Sequence, residues 1–106
     1  MGDEVVVMIT TSSADEAAKI GRALVEEHLV ACANIVGSVR SHFFWDGQTR
    51  DEQETLMICK TRSLLMNRII DRVKQLHSYT VPEIIALPII AGSKDYLEWV
   101  NETATG

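Results

Sequence analysis

Apolar positions along the chain follow two different periods, one typical of strands and one typical of helices. Residues 4–11, EVVVMITT, are β-branched and apolar almost throughout, which favours a strand buried on both faces. The same criteria predict three further strands, over residues 29–45, 48–61 and 82–90. Asp46-Gly47 predicts a tight hairpin between the second and third strands, because a type I′ turn needs positive φ at both central residues.

Helical spacing appears between these strands. Apolar residues recur at intervals of three and four over residues 14–28, where Ser13 and Glu16 form a capping-box pattern at the start. A second apolar stripe predicts a helix over residues 63–77, formed by Leu65, Ile69, Val73 and Leu76. Ser93 predicts the N-cap of a short final helix.

Glycine and proline refine the predicted strands. Gly37 interrupts the long second strand and predicts a bulge or bend there. Pro82 and Pro88 lack backbone donors, so the fourth strand is expected at a sheet edge or in irregular pairing.

The order of elements is β-α-β-β-α-β followed by a helix, and it predicts the α+β class in one domain over residues 1–106. Two βα units joined by a hairpin form the ferredoxin-like sandwich, with both helices on one face of an antiparallel sheet. The two central strands are much longer than the usual strand of about 5–6 residues. The outer hairpin, residues 38–54, is therefore expected to project beyond the helices as an arm.

The arm has three consecutive aromatic residues, Phe43, Phe44 and Trp45, in a chain that has only six. Consecutive side chains of a strand point to opposite faces, so these three cannot enter one core. A chain that left such a patch in water would tend to aggregate, which favours a closed oligomer with each arm laid on a neighbour. The alternative is an arm that curls back over its own sheet edge.

Composition narrows the class of function. Apolar residues make up 46% of the chain and charged residues 24%, as in ordinary soluble globular proteins. The net charge of −5 argues against nucleic-acid binding, which depends on Lys and Arg neutralising phosphates. The apolar stretch near the start, residues 5–9, is too short for a membrane span or a signal peptide. We therefore expect a cytoplasmic protein with no membrane or nucleic-acid partner.

The two cysteines, Cys32 and Cys59, show no paired spacing with each other or with histidine. A structural zinc site is not expected from such a pattern. The simplest interpretation is a pair of reduced thiols, with Cys59 buried as a small apolar side chain.

Five sequence blocks in order give the chain a family resemblance: EEHLVACANI (26–35), FFWDGQ (43–48), LMICKT (56–61), HSYTVPEIIALPI (77–89) and DYLEWV (95–100). Together they resemble the CutA divalent-cation-tolerance family over about residues 4–102. The resemblance implies a homotrimer of ferredoxin-like subunits, similar in architecture to PII signalling proteins, with the hairpins packed on adjacent subunits. It also implies a role in tolerance of copper and other divalent cations, with no enzymatic reaction.

The resemblance also implies a set of site residues. Cys32 and His77 are the thiol and imidazole that suit copper, and Glu83 is a third possible ligand or an orienting group. The residues that match the family's interface positions are Trp45, Lys60, Tyr79 and Trp99. The residues that match its hairpin arm are Phe43, Phe44, Asp46 and Gly47. The alternative is a structural polar cluster at a subunit boundary, with a buried Lys60–Glu83 ion pair and a hydrogen bond from Tyr79.

Two departures from the family bear on the metal. Bacterial members associated with copper have a cysteine and a second histidine where this chain has Ile9 and Leu76. The resemblance therefore implies weak binding of copper or another divalent cation, with no obligatory cofactor. An alternative function is a PII-like trimer that senses a small molecule. A third is an enzyme in which Cys32 and His77 meet in space.

Overall fold

A computed structural model describes residues 2–106 of the chain and confirms the α+β class with a ferredoxin-like arrangement. Its elements are β1 (Glu4–Thr11), α1 (Ala14–Glu26), β2 (Cys32–Trp45), β3 (Gln48–Arg62), a 3₁₀ turn (Ser63–Leu65), α2 (Met66–Leu76), β4 (Ile84–Pro88) and α3 (Lys94–Thr103). Within residues 2–106, no helix is long and apolar enough to cross a membrane.

The four strands form one antiparallel sheet in the order β2-β3-β1-β4. Alternate residues of β1, including Val7 and Ile9, are fully buried against α1 and α2. The same core contains residues of both helices and of β3, namely Ile20, Leu24, Met57, Ile69 and Val73. Both helices therefore cover the same face of the sheet, as the sequence predicted.

The opposite face of the sheet, which we call the open face, is also apolar. It is formed by the alternate residues Val6, Met8, Val36, Leu56, Ile58, Ile85 and Leu87. Ile85 and Leu87 on the edge strand β4 are 50% and 46% exposed. The single chain thus leaves one apolar side of its sheet partly accessible to water, most of all at Val36, Ile85 and Leu87.

The hairpin formed by β2 and β3 projects as expected, and the chain is 44 Å long in its longest dimension. Its turn has φ of 53° at Asp46 and 74° at Gly47, the two positive values that a type I′ turn requires. The predicted position of the turn is confirmed.

The predicted irregularity at Gly37 is a bulge, because the pairing of β2 with β3 shifts between Val36 and Ser38. One extra residue reverses the alternation of β2 beyond that point. Phe43, which pairs with Arg50, and Trp45 therefore lie on the side of the open face. Phe44 points the other way and is 72% exposed.

Several predicted boundaries were wrong by two or three residues. Helix α1 ends at Glu26, since His28 adopts a left-handed φ of 58°. Pairing of β2 begins at Cys32, after three buried residues that pack on the core without forming a strand, Leu29, Val30 and Ala31. The predicted strand 82–90 is limited to Ile84–Pro88, which does lie at the sheet edge.

Candidate functional site

A groove of about 970 Å³ lies between the arm and the loop that follows α2, and we call it the arm groove. Its walls are residues 41–45, Arg50, Glu52, Gln53 and Glu54 on the arm side, and Thr10, Ser12, residues 78–81 and Glu83 on the other. Many of the aromatic and polar residues that the sequence singled out lie here. The groove is therefore the first candidate site.

A hydrogen bond between Tyr79 and Glu54 joins the two sides of the groove. The Tyr79 hydroxyl donates to Glu54 Oε2 at 2.8 Å, and Glu54 is almost fully buried. Burial raises the pKa of Tyr79, and the hydrogen bond to Glu54 and the negative charges of Glu54, Glu16 and Glu52 raise it further. Tyr79 therefore stays protonated at neutral pH and serves as a donor.

Both ring nitrogens of His77 already have partners. Nδ1 accepts a hydrogen bond from the Tyr79 backbone N–H at 3.0 Å, so the ring proton must lie on Nε2. Nε2 then donates to the Thr10 carbonyl at 2.8 Å. The buried imidazole thus joins α2, β1 and the loop of the arm groove, and neither nitrogen is free to bind a metal.

Glu16 connects the start of α1 to the same loop. Its backbone N–H donates to Ser13 Oγ at 3.1 Å, which confirms the predicted N-cap. Its carboxylate accepts from the N–H and hydroxyl of Ser12 and from the N–H of Ser78, at 3.0, 2.9 and 2.7 Å. Burial alone would raise the pKa of Glu16, but these hydrogen bonds outweigh it and lower the pKa to about 2.

The Glu16 carboxylate predicts how the free energy of unfolding changes with pH. Because its folded pKa lies near 2 and its ordinary value is 4.5, its contribution is complete above pH 4.5 and is lost as pH falls towards 2. We expect Glu16→Gln to lower the free energy of unfolding by about 1 kcal/mol at pH 7, a value discounted for solvent screening. The difference from the unmodified chain should shrink at pH 3.

Urea unfolding at both pH values and one protein concentration measures this difference. Glu26→Gln is a matched control, because Glu26 is exposed and forms an ion pair with Arg22 on the surface of the same helix. A Glu16→Gln effect of equal size at pH 3 and pH 7 would contradict the prediction.

Cys32 lies in a second polar cluster, at the end of the sheet away from the arm. Lys60 Nζ donates to Asn34 Oδ1 and lies 3.8 Å from Cys32 Sγ. The pKa of Tyr96 is raised, by burial first and then by the charge of Cys32 and a hydrogen bond with it. Within one chain Lys60 bonds to Asn34, and Glu83 lines the arm groove, so the alternative Lys60–Glu83 ion pair at a subunit boundary stays a prediction.

The structure does not bring Cys32 and His77 together within one chain. Cys32 pairs with Lys60, whereas His77 bonds to Thr10, which pairs with Leu56. Four residues along β3 and two strand spacings across the sheet separate Cys32 from Thr10, the residue that His77 contacts, by roughly 16 Å. Among residues 2–106, no group of three or more His, Cys, Asp or Glu side chains is placed to hold a metal ion.

The remaining predicted residues also divide between the two ends of the sheet. Trp45 and Tyr79 line the arm groove, as does Glu83. Lys60 lies beside Cys32, and Trp99 packs on the Tyr96 ring at a centroid distance of 5.5 Å. Trp45 and Lys60 are about 40 Å apart along the hairpin, so one chain does not assemble them into one interface cluster.

Cys59 is fully buried in the core, as predicted, and burial raises the pKa of its thiol to about 12. It is therefore a thiol at neutral pH and is not available as a thiolate nucleophile or metal ligand. Cys32 and Cys59 are both free cysteines.

Sequence reasoning missed Glu54 and Arg50. Both appeared as ordinary polar residues in the outer half of a strand, and the sequence contains no motif around them. The bulge at Gly37 decides which β2 residues lie beside them, and the loop after α2 forms the opposite wall of the groove. The only available signal was that they alternate with Glu52 on one face of β3.

Comparison with known proteins places the chain in a family. The family model described as "CutA1 divalent ion tolerance protein" matches residues 5–103. A divalent-cation tolerance protein CutA of Thermus thermophilus is 48% identical over 99 residues, covering 93% of this chain and 96% of that protein. A CutA protein of Arabidopsis thaliana named as chloroplastic is 39% identical, and the matched region spans 54% of its length.

A solved structure shows the same likeness in three dimensions. The divalent cation tolerance protein Cut A1 of Thermus thermophilus superposes with a TM-score of 0.92 at 47% sequence identity. The match covers 94% of this chain and 97% of that one. On the family match and these identities, the chain belongs to the CutA1 divalent ion tolerance protein family.

Proposed function

We propose that this chain is a single-domain, non-enzymatic protein of divalent-cation tolerance that works as a homotrimer. The tolerance role rests on its family and on the names of its relatives. The observation that supports an assembly is the open face, where alternate residues of all four strands are apolar and no helix of the α1–α2 layer covers them. The number three rests on the resemblance to CutA trimers.

The arm supports the same proposal. Its tip exposes Phe44 and Trp45, which are 72% and 49% accessible in the single chain. Trp45 lies on the side of the open face and extends its apolar surface, and a large exposed apolar surface usually marks an interface. An arm laid on the neighbouring subunit would cover its own aromatics and part of the neighbour's surface together.

The residues of one chain do not fit a closed metal site. Cys32 and His77 lie apart, and both nitrogens of His77 bind backbone groups. We therefore propose that any copper or other divalent cation is held weakly, with Cys32 as the principal ligand at a subunit boundary. We propose no reaction, since Cys59 is buried as a thiol and Cys32 has no imidazole beside it in its own chain.

Native mass spectrometry with copper and zinc titration tests assembly and metal together. We expect a trimer at micromolar concentration and dissociation constants above about 1 μM, equivalent to less than about 8 kcal/mol of binding. Cys32→Ser should weaken copper binding, whereas Cys59→Ser should leave it unchanged. A monomer would contradict the assembly, and nanomolar copper affinity or binding that is insensitive to Cys32→Ser would contradict the metal proposal.

A second candidate function is small-molecule sensing, and the arm groove favours it. The groove is formed within a single chain, at the upper end of the range of about 300–1,000 Å³ common for ligand sites. Its aromatic walls and charged side chains are the composition expected of a site that orients a ligand.

The location of this protein in the cytoplasm stays a prediction.

A further inference from the structure

The arm leaves the main sheet at one level of its two strands. Pairing of β1 with β3 ends where Thr11 pairs with Thr55, so Glu54 is the first residue of β3 beyond it. On β2 the bulge at Gly37 lies at the same level, because the next residue, Ser38, pairs with Thr55. Beyond this level the arm is a ribbon of two strands, which has only marginal stability of its own.

Gly37 gives the base of the arm room to bend. A bulge leaves one residue out of the pairing and bends its strand. Gly37 is exposed, and a methyl group added to it would meet no atom within 4 Å. No packing at Gly37 therefore fixes the direction in which the arm projects.

Among residues 2–106, one side-chain hydrogen bond connects the arm with the rest of the chain. It is the bond of 2.8 Å that the Tyr79 hydroxyl donates to Oε2 of Glu54. The other side-chain hydrogen bonds and ion pairs of residues 38–54, such as those between Arg40 and Asp51, lie within the arm. The Tyr79–Glu54 bond is made where the ribbon begins, so it acts directly on the base of the arm.

The loop that carries Tyr79 is itself held in place. Glu16, in the first turn of α1, accepts a hydrogen bond of 2.7 Å from the Ser78 N–H. The Tyr79 N–H donates to His77, and the Tyr79 ring packs on the imidazole at a centroid distance of 4.7 Å. The donating hydroxyl therefore has a fixed position relative to the helix layer.

Burial makes the position of the arm depend on this hydrogen bond. Glu54 is only 8% exposed, and a buried carboxylate that loses its donor is strongly destabilised until it reaches water. Glu54 lies on the arm itself, so its side chain can move into water if the base of the arm turns away from the loop. A paired Glu54 thus favours one arm direction, and an unpaired Glu54 disfavours it.

We infer that the Tyr79–Glu54 hydrogen bond is a clasp that fixes the direction of the arm at a hinge formed by Gly37 and Glu54. The consequence for assembly rests on the proposed trimer, in which the arm lies on the neighbouring subunit. An arm that is already oriented loses less conformational freedom on association, so the clasp favours the assembly without touching the neighbour.

Tyr79→Phe tests the clasp, because it removes the hydroxyl and keeps the ring on His77. Nuclear magnetic resonance relaxation of the backbone amides measures the order of the arm in the full chain. We expect order parameters of residues 40–52 to fall from about 0.85 to below about 0.6, while those of α1 stay unchanged and show that the chain is folded. Sedimentation should show a dissociation constant of the trimer raised at least tenfold.

The double variant Tyr79→Phe/Glu54→Met should restore the order of the arm. It replaces both partners by apolar groups of similar shape, which removes the unpaired carboxylate and is nearly neutral in many proteins. Tyr96→Phe is the matched control, because it removes a tyrosine hydroxyl beside Cys32, away from the arm, and should leave the arm amides unchanged.

The arm amides and the sedimentation separate this inference from the proposed trimer. A monomeric unmodified chain would contradict the trimer, whereas its arm amides would still test the clasp. The inference fails if Tyr79→Phe leaves the order parameters of the arm unchanged or if Tyr96→Phe lowers them equally. It also fails if the arm of the double variant is as mobile as that of Tyr79→Phe.

Discussion

We expect Ile85→Asp to convert the proposed trimer into a folded monomer. Ile85 lies on the open face of the edge strand β4, where it pairs with Met8 and is half exposed in the single chain. An aspartate there meets water in the monomer and costs little. In an assembly that covers the open face it becomes a buried, unpaired charge, which costs several kcal/mol. The trimer–monomer equilibrium should shift by at least about a thousandfold, since every 1.4 kcal/mol is tenfold.

Sedimentation at micromolar concentration measures the assembly, and circular dichroism measures whether the monomer is folded. Leu64→Asp is the control for an added charge at an exposed leucine, because Leu64 is 60% exposed in the 3₁₀ turn on the helix side. Ile85→Val, which keeps a β-branched apolar side chain, should remain trimeric. A trimeric Ile85→Asp, or dissociation by Leu64→Asp to the same degree, would exclude the open face as the interface.

Local signals in the sequence predicted the framework of the fold well. The cap at Ser13, the turn at Asp46-Gly47 and the bulge at Gly37 each depend on the backbone preferences of one or two residues. Such preferences act over a few bonds and survive in any tertiary context that keeps the element. The order of strands and helices followed from the change of apolar period.

The predicted ends of strands and helices were wrong where apolar character was the only signal in the sequence. Residues 29–31 are as apolar as a strand, yet they pack on the core before ladder pairing begins at Cys32. Residues 63–65 form a 3₁₀ turn ahead of α2, which begins at Met66. Residues 29–31 are apolar because they are buried, and Leu65 is the buried residue of the 3₁₀ turn. The apolar pattern does not distinguish burial in a loop or turn from burial in a strand or helix.

The candidate site was the least predictable part. Cys32 and His77 were grouped by chemistry and resemblance, whereas their separation depends on strand register, which pairs Cys32 with Lys60 and Thr10 with Leu56. Register is fixed by contacts between residues far apart in the sequence. Register also places Arg50 beside Phe43, because the bulge at Gly37 inserts one residue into β2.

The second large effect concerns His77, whose removal should destabilise the chain whether or not metal is present. His77→Ala would leave the Thr10 carbonyl and the Tyr79 N–H without their side-chain partner and open a cavity beside the Tyr79 ring, now 4.7 Å from the imidazole. Each unpaired buried group costs about 1–3 kcal/mol, so we expect a loss of about 3–4 kcal/mol in the free energy of unfolding. Urea unfolding with and without a chelator should give the same loss.

His42→Ala is the control for a histidine that is largely exposed on the arm, and it should cost less than about 0.5 kcal/mol.

The double variant Cys32→Ser/His77→Ala tests whether the two residues share a site. Effects of residues more than about 7–10 Å apart add to within about 0.5 kcal/mol, and in one chain Cys32 lies roughly 16 Å from Thr10, the residue that His77 contacts. We therefore expect additivity in the presence of copper. A coupling above about 1 kcal/mol that disappears with a chelator would show that the two residues meet across subunits and bind metal together.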